Sequence, residues 1–117
     1  MTPQLQPAQF NAWRDAVANP TPPVVLDVRE PWEVQTASVK PDGFTLLLIP
    51  MRELPARLDG LRAELGEEQP IACLCHHGMR SQQVATFLTQ SGFTEVVNLQ
   101  GGIAAWSQQV DPTVPQY

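Results

Sequence analysis

Short runs of apolar residues constrain the fold of this chain more than any other feature. The clearest lie at 24–28, where a single aspartate interrupts the run, and at 71–75; similar runs fall at 46–49 and within 95–99. Strands that are apolar without alternation are typical of a parallel sheet with both faces covered. Because segments with helical periodicity separate these runs, the sequence predicts a layered α/β domain.

Helices are predicted where apolar residues recur every three or four positions. Residues 10–17 show this spacing, and Asn19-Pro20 is expected to end that helix. A leucine stripe over 54–65 predicts helical structure too, which Pro55 and Gly60 are expected to divide into two short helices. Two more helices are predicted, one from about 81 to Gly92 and one after Gly101-Gly102, and the proline-containing segment 111–117 is expected to form a surface strap.

Length, charge and cysteine usage limit what the domain does. The chain is long enough for one domain, which we take as 1–117, with a core over about 7–108 and a tail at 109–117. Seven basic and twelve acidic residues give a net charge of −5, which argues against a nucleic-acid partner. Two cysteines fit a reducing compartment. Without a signal-peptide pattern or an apolar run of membrane-spanning length, we expect a cytoplasmic protein with no membrane partner.

The predicted strand at 71–75 leads directly into a polar loop. Cys75 ends the strand and Arg80 stands where the next helix begins, at the edge where open α/β sheets hold ligands. Such a loop can turn its N–H groups inward, and the helix dipole adds positive potential. A sulfur at this point is favoured as the nucleophilic thiolate. Gly78 permits the tight backbone, and the fork of Arg80 is suited to hold an oxyanion.

Three segments together resemble the single-domain rhodanese family of thiosulfate sulfurtransferases. They are the loop 75–81, the upstream segment 27–30 and the downstream segment 99–106, within a likeness that runs from about residue 10 to 106. The resemblance implies a mostly parallel five-stranded sheet with helices on both faces. It also implies that Cys75 is the nucleophile, that the backbone amides of the following residues form a cradle, and that Arg80 binds the donor anion.

The resemblance further implies a ping-pong reaction through a Cys75 persulfide. The donor would be thiosulfate, a small anion, or a protein persulfide, and the acceptor would be cyanide in an assay or a thiol in a cell. This chemistry needs no metal or organic cofactor. The implied substrate-binding loop comprises His76, His77, Gly78, Met79, Arg80 and Ser81, and Asp27, Arg29 and Glu33 are expected to support it through salt bridges from behind.

The other reactive side chains have plainer interpretations. Cys73 shares the strand face of Cys75, and we interpret it as a core residue rather than a resolving thiol. Zinc is disfavoured, because structural zinc sites take their ligands from two separated pairs and the four candidates here fall within 73–77. The side chains of His76 and His77 are expected either to tune binding at the loop entrance or to be exposed without a role.

Other functional classes remain open at this stage. The loop from Cys75 to Arg80 has six residues, as in rhodaneses, whereas the similar phosphatases and arsenate reductases have seven and so a wider cradle. The length therefore favours sulfur transfer over phosphoryl transfer. A non-catalytic binding module is the alternative from another class, and the intact Cys75, Gly78 and Arg80 argue against it.

Overall fold

The computed structural model describes residues 2–18 and 20–117, which form a five-stranded sheet with helices around it. The predicted α/β class is confirmed. The strands are β1 (Gln4–Leu5), β2 (Val24–Asp27), β3 (Thr45–Leu48), β4 (Ile71–Leu74) and β5 (Val96–Leu99). The α-helices are α1 (Phe10–Val17), α2 (Pro31–Thr36), α3 (Leu54–Leu65), α4 (Met79–Gln90) and α5 (Gly102–Gln109), and 3₁₀ turns at Pro7–Gln9 and Met51–Glu53 precede α1 and α3.

All neighbouring strands pair in parallel, in the order β1-β5-β4-β2-β3. Strand β4 is central, with Leu26 of β2 opposite Cys73 on one side and Asn98 of β5 opposite it on the other. The carboxyl ends of β2, β4 and β5 therefore lie side by side. Whatever follows Leu74 emerges between the loops that follow the two neighbouring strands.

Helices cover both faces of the sheet, as the sequence resemblance implied. Alternate residues of a strand point to opposite faces, so Leu26 and Val25 enter different cores. Helices α3 and α4 cover one face, and α1 and α5 cover the other. The first core includes Leu26, Leu61, Cys73, Val84 and Leu88, and the second includes Phe10, Val25, Leu74, Ile103 and Trp106.

The prediction of two short helices over 54–65 is wrong, because α3 is continuous. Pro55 lies in the first turn, where its missing N–H would have had no intrahelical partner anyway. A Cβ at Gly60 would meet no atom within 4 Å. Gly60 therefore destabilises the helix only through its low intrinsic helix propensity. The packing of Leu54 and Leu61 outweighs this loss of stability.

The other boundaries differ by smaller amounts. Helix α1 ends at Val17, and Asn19, which was expected to help end it, lies outside the described residues. Helix α4 begins at Met79 rather than near Ser81. The tail is non-helical, as expected, and is anchored: Val114 is buried, and its carbonyl oxygen accepts a hydrogen bond of 2.6 Å from Ser107 Oγ. In the part of the chain that the structure describes, none of the helices has the length and apolar character needed to cross a bilayer.

Candidate active site

Cys75 lies at the bottom of the loop between β4 and α4, with only 1% of its surface exposed. The backbone N–H of Gly78 points at its sulfur at 3.1 Å, and the N–H of Ser81 does so at 3.4 Å. The Ser81 hydroxyl lies 3.3 Å from the same sulfur. The two N–H donors come from the loop and the first turn of α4, whose dipole is positive at this end. The arrangement favours a negative charge on the sulfur.

The loop keeps its shape because helix α5 binds its carbonyl groups. The N–H of Ile103 donates to the carbonyl oxygen of Cys75 at 2.8 Å, and the N–H of Ala104 donates to that of His76 at 3.1 Å. The loop carbonyls thus face α5, which leaves loop N–H groups free to face the sulfur. Gly102 is required at this contact, since a Cβ there would collide with the carbonyl oxygens of Cys75 and His76, and its φ of 62° is left-handed.

Asn98 on β5 supports the loop from the neighbouring strand, and sequence reasoning missed it. Its amide nitrogen donates to the carbonyl oxygen of Gly78 at 3.1 Å, and its amide oxygen accepts from the Ser81 hydroxyl at 2.6 Å. One buried amide therefore fixes both residues that donate to the sulfur. The available signal was a polar amide inside a strand otherwise composed of apolar residues.

Asp27 and Arg29 form a buried ion pair behind the site. Arg29 Nη2 lies 2.7 Å from Asp27 Oδ2, and both side chains are fully buried. Arg29 also donates to the carbonyl oxygens of Ala37, at 2.8 Å, and Glu33, at 3.3 Å. These contacts tie the end of β2 to both ends of α2. The supporting role expected for these two residues from the sequence stays a prediction.

The carboxylate of Glu33 pairs with Arg80 and not with Arg29. The sequence did not distinguish between these two partners. The two terminal nitrogens of Arg80 each donate to one oxygen of Glu33 at 2.8 Å. These bonds from Arg80 lower the pKa of Glu33 to about 2, even though burial acts in the opposite direction. The same bonds raise the pKa of Arg80. A permanently ionised pair therefore holds a guanidinium beside the cysteine loop.

The remaining loop side chains are exposed or half-buried. His77 and Met79 are exposed, Met79 by 77%. His76 is half-buried and stacks on His77, with ring centroids 3.8 Å apart. Cys73 is completely buried in the core, and burial, with the nearby Cys75, raises the pKa of its thiol strongly. Within residues 2–18 and 20–117 no three His, Cys, Asp or Glu side chains are grouped as metal ligands.

Fold and site together define a class: a parallel α/β domain with a cysteine sulfur held by backbone N–H groups at the carboxyl end of its central strand. The chain belongs to the rhodanese-like domain family, whose family model matches residues 8–109. The resemblance seen in the sequence is thereby confirmed.

Individual relatives agree with this membership. The chain is 40% identical over 93 residues to the rhodanese-like/PpiC domain-containing protein 12 of Arabidopsis thaliana, covering 80% of this chain and 30% of that protein. It is 33% identical over 91 residues to a protein of Allochromatium vinosum named sulfurtransferase, covering 78% of each. The crystal structure of a rhodanese-related protein from Thermoplasma volcanium has a TM-score of 0.73 and 29% identity, covering 98% of this chain and 99% of that one. The chain spans only 20–30% of the length of several curated relatives, the Arabidopsis protein among them.

Proposed function

We propose that this chain is a sulfurtransferase that carries a sulfane sulfur on Cys75. The observation that carries the proposal is the pair of backbone donors around one sulfur atom: the N–H groups of Gly78 and Ser81, at 3.1 and 3.4 Å. They favour the thiolate as a nucleophile and provide hydrogen bonds for a negatively charged terminal sulfur attached to it. Family membership and a relative named sulfurtransferase support the same reaction class.

The proposed donor reaction uses thiosulfate or another persulfide-type donor. The Cys75 thiolate attacks the outer sulfur of thiosulfate and forms a new S–S bond. The S–S bond of the donor breaks, and sulfite leaves with the bonding electron pair. Cyanide or a thiolate then attacks the terminal sulfur of the Cys75 persulfide, and the Cys75 thiolate is regenerated. Arg80, with its charge held at the loop by Glu33, is the proposed binding residue for the donor anion.

A protein persulfide is the proposed alternative donor, and a cellular thiol the proposed acceptor. Met79 and Trp32 are large apolar side chains with 77% and 62% of their surfaces exposed, and both flank elements of the site. Such exposure near a reactive group is compatible with contact by another protein. Both cysteines are free thiols, which fits the expected reducing, cytoplasmic location.

The test is an intact-mass measurement of the reduced protein after brief incubation with thiosulfate. We expect the parent protein and a Cys73→Ala variant to gain the mass of one sulfur atom, which cyanide removes. A Cys75→Ser variant should gain none. If the parent gains no sulfur from thiosulfate or from a low-molecular-weight persulfide, the sulfurtransferase proposal fails. Hydrolysis of an aryl phosphate would then indicate a phosphatase-like enzyme, and inactivity a binding module.

A further inference from the structure

One aromatic side chain from the tail reaches the mouth of the candidate site. The Tyr117 hydroxyl donates to Glu33 Oε1 at 3.0 Å and accepts a hydrogen bond from Arg29 Nη1 at 2.9 Å. Its ring stacks on the imidazole of His76, with centroids 3.9 Å apart and planes only 6° apart. A single residue thus contacts the buried ion pair, the Arg80-binding carboxylate and the residue that follows Cys75.

The tail is built to hold this ring in place. Val114 is buried in the core with α1 and α5, and its carbonyl oxygen is bound by Ser107 on α5. A turn before it is closed by Asp111, whose carboxylate accepts from the hydroxyl of Thr113 at 2.6 Å. Trp32 on α2 packs edge-on against Tyr117, with centroids 6.2 Å apart. The ring is therefore confined between α2 and the cysteine loop.

The polar contacts of Tyr117 bear on the anion-binding guanidinium. Glu33 Oε1 accepts from both Tyr117 and Arg80, so the phenol helps to fix the carboxylate that orients Arg80. Burial raises the pKa of Tyr117, which keeps the phenol protonated and able to donate. A neutral donor on Glu33 also takes up part of its accepting capacity. Arg80 therefore keeps more of its positive charge for a bound anion than it would if Glu33 accepted hydrogen bonds from Arg80 alone.

We propose that Tyr117 is a positioning residue: it holds the Glu33–Arg80 pair and the side chain of His76 in fixed register with Cys75, so that an anion approaching the sulfur meets a pre-oriented guanidinium. The inference rests on the proposed function only for the identity of that anion as a sulfur donor. Nothing in the contacts requires Tyr117 to touch the reacting sulfur, so its effect is on binding and not on bond breaking.

Three variants separate the two contacts of Tyr117 from general packing of the tail. Tyr117→Phe removes the hydroxyl and keeps the ring, and Tyr117→Ala removes both. Gln116→Ala is the matched control, because Gln116 is exposed and makes only a 3.3 Å hydrogen bond to the carbonyl oxygen of Ala104. Thermal unfolding of each variant establishes that the comparison is made on folded protein.

The first measurement compares the alkylation of Cys75 by iodoacetate, an anion, with that by iodoacetamide, which is neutral. Their rate ratio reports the positive charge that an anion meets on its way to the sulfur, and it needs no sulfur transfer. We expect this ratio to fall about tenfold in Tyr117→Ala, the equivalent of one hydrogen bond to a charged group. Tyr117→Phe should show a smaller fall. The Michaelis constant for thiosulfate should rise in parallel, with kcat changing less than twofold.

The second measurement is an NMR titration of His76, which tests the stacking contact by itself. Burial and the neighbouring His77 lower the pKa of His76, a hydrogen bond with the Tyr117 backbone raises it, and the charges of Glu33 and Arg80 also act on it. Removal of the ring in Tyr117→Ala should expose the imidazole and raise its pKa toward the ordinary value. Tyr117→Phe keeps the stack and should retain the parental pKa.

Two results would overturn the inference. One is a Tyr117→Ala protein with the parental alkylation ratio and the parental His76 pKa. The other is an equal change in the alkylation rates of both reagents, together with a His76 pKa in Tyr117→Phe that differs from the parental value. That combination would indicate general loosening of the tail. If the parent protein takes no sulfur from thiosulfate, only the steady-state comparison is lost. The alkylation ratio and the His76 titration still decide the role of Tyr117.

Discussion

The site has two halves that are held in place by different kinds of contact. Around the sulfur, the contacts are backbone N–H and carbonyl groups supplied by the loop after β4 and the start of α5. Around Arg80, the contacts are charged side chains, with Glu33 and the Asp27–Arg29 pair at their centre. Backbone groups are fixed by chain geometry, whereas side chains are fixed by one another. A substitution in the first half should therefore do harm by crowding the backbone. A substitution in the second half should do harm by removing a charged partner.

The largest effect is expected from breaking the fully buried pair. Asp27→Asn leaves the Arg29 guanidinium buried with an uncharged partner, which should lower the free energy of unfolding by about 3 kcal/mol or more. Urea denaturation measures this loss. Activity per folded molecule should change much less, because neither residue contacts the sulfur. A stable variant with abolished activity would show that the pair acts on the reaction directly.

A substitution on the backbone side should show the opposite pattern. Gly102→Ala places a Cβ against the carbonyl oxygens of Cys75 and His76, so the loop has to shift. We expect the rate of sulfur transfer to fall at least about a hundredfold, which is the usual effect of losing one hydrogen-bond donor that stabilises charge in an active site. Gly60→Ala is the control, since its Cβ meets open space, and it should keep full activity and gain up to about 1 kcal/mol of stability. Full activity in Gly102→Ala would contradict the role assigned to α5.

A smaller effect is expected at the Ser81 hydroxyl, which lies beside the sulfur and donates its proton to Asn98. Ser81→Ala removes the hydroxyl 3.3 Å from Cys75 but keeps the N–H of residue 81. The loss leaves the buried amide oxygen of Asn98 without its Ser81 donor, which should disturb the loop and lower the rate of persulfide formation by about tenfold. Stopped-flow measurement of the donor half-reaction tests this. An unchanged rate would mean that the backbone donors hold the sulfur without help from the hydrogen bond between Ser81 and Asn98.

The smallest effect is expected from neutralising Glu33, and it depends on pH. Because Arg80 lowers the pKa of Glu33 to about 2, the ionised carboxylate stabilises the folded state above the ordinary pKa of about 4.5. This contribution is lost as the pH falls toward 2. Glu33→Gln should be less stable than the parent by about 1 kcal/mol at pH 7, since Arg80 is partly exposed. The two unfolding free energies should converge between pH 4.5 and 2, and a constant difference would contradict the assigned pair.

The sequence predicted the cysteine half of the site better than the charged half. The position of Cys75 follows from an apolar run that ends in a loop, which is local information. Tyr117 contacts residues more than eighty positions away, and no local pattern encodes such a contact. Asn98 could have been noticed as a buried amide, but its partners depend on the register of β5 against β4. Strand β1 has only two residues, too few for any periodicity.

The bonds from α5 to the cysteine loop also make completion of the site depend on a distant part of the chain. Ile103 and Ala104 lie almost thirty residues after Cys75, and their N–H groups hold the loop carbonyls outward. The pocket for the sulfur is therefore complete only after the last helix has docked on the sheet. A chain that ends before α5 lacks both N–H donors, so the carbonyl groups of its cysteine loop lose these partners. Closure of the cysteine loop is thus coupled to the docking of α5.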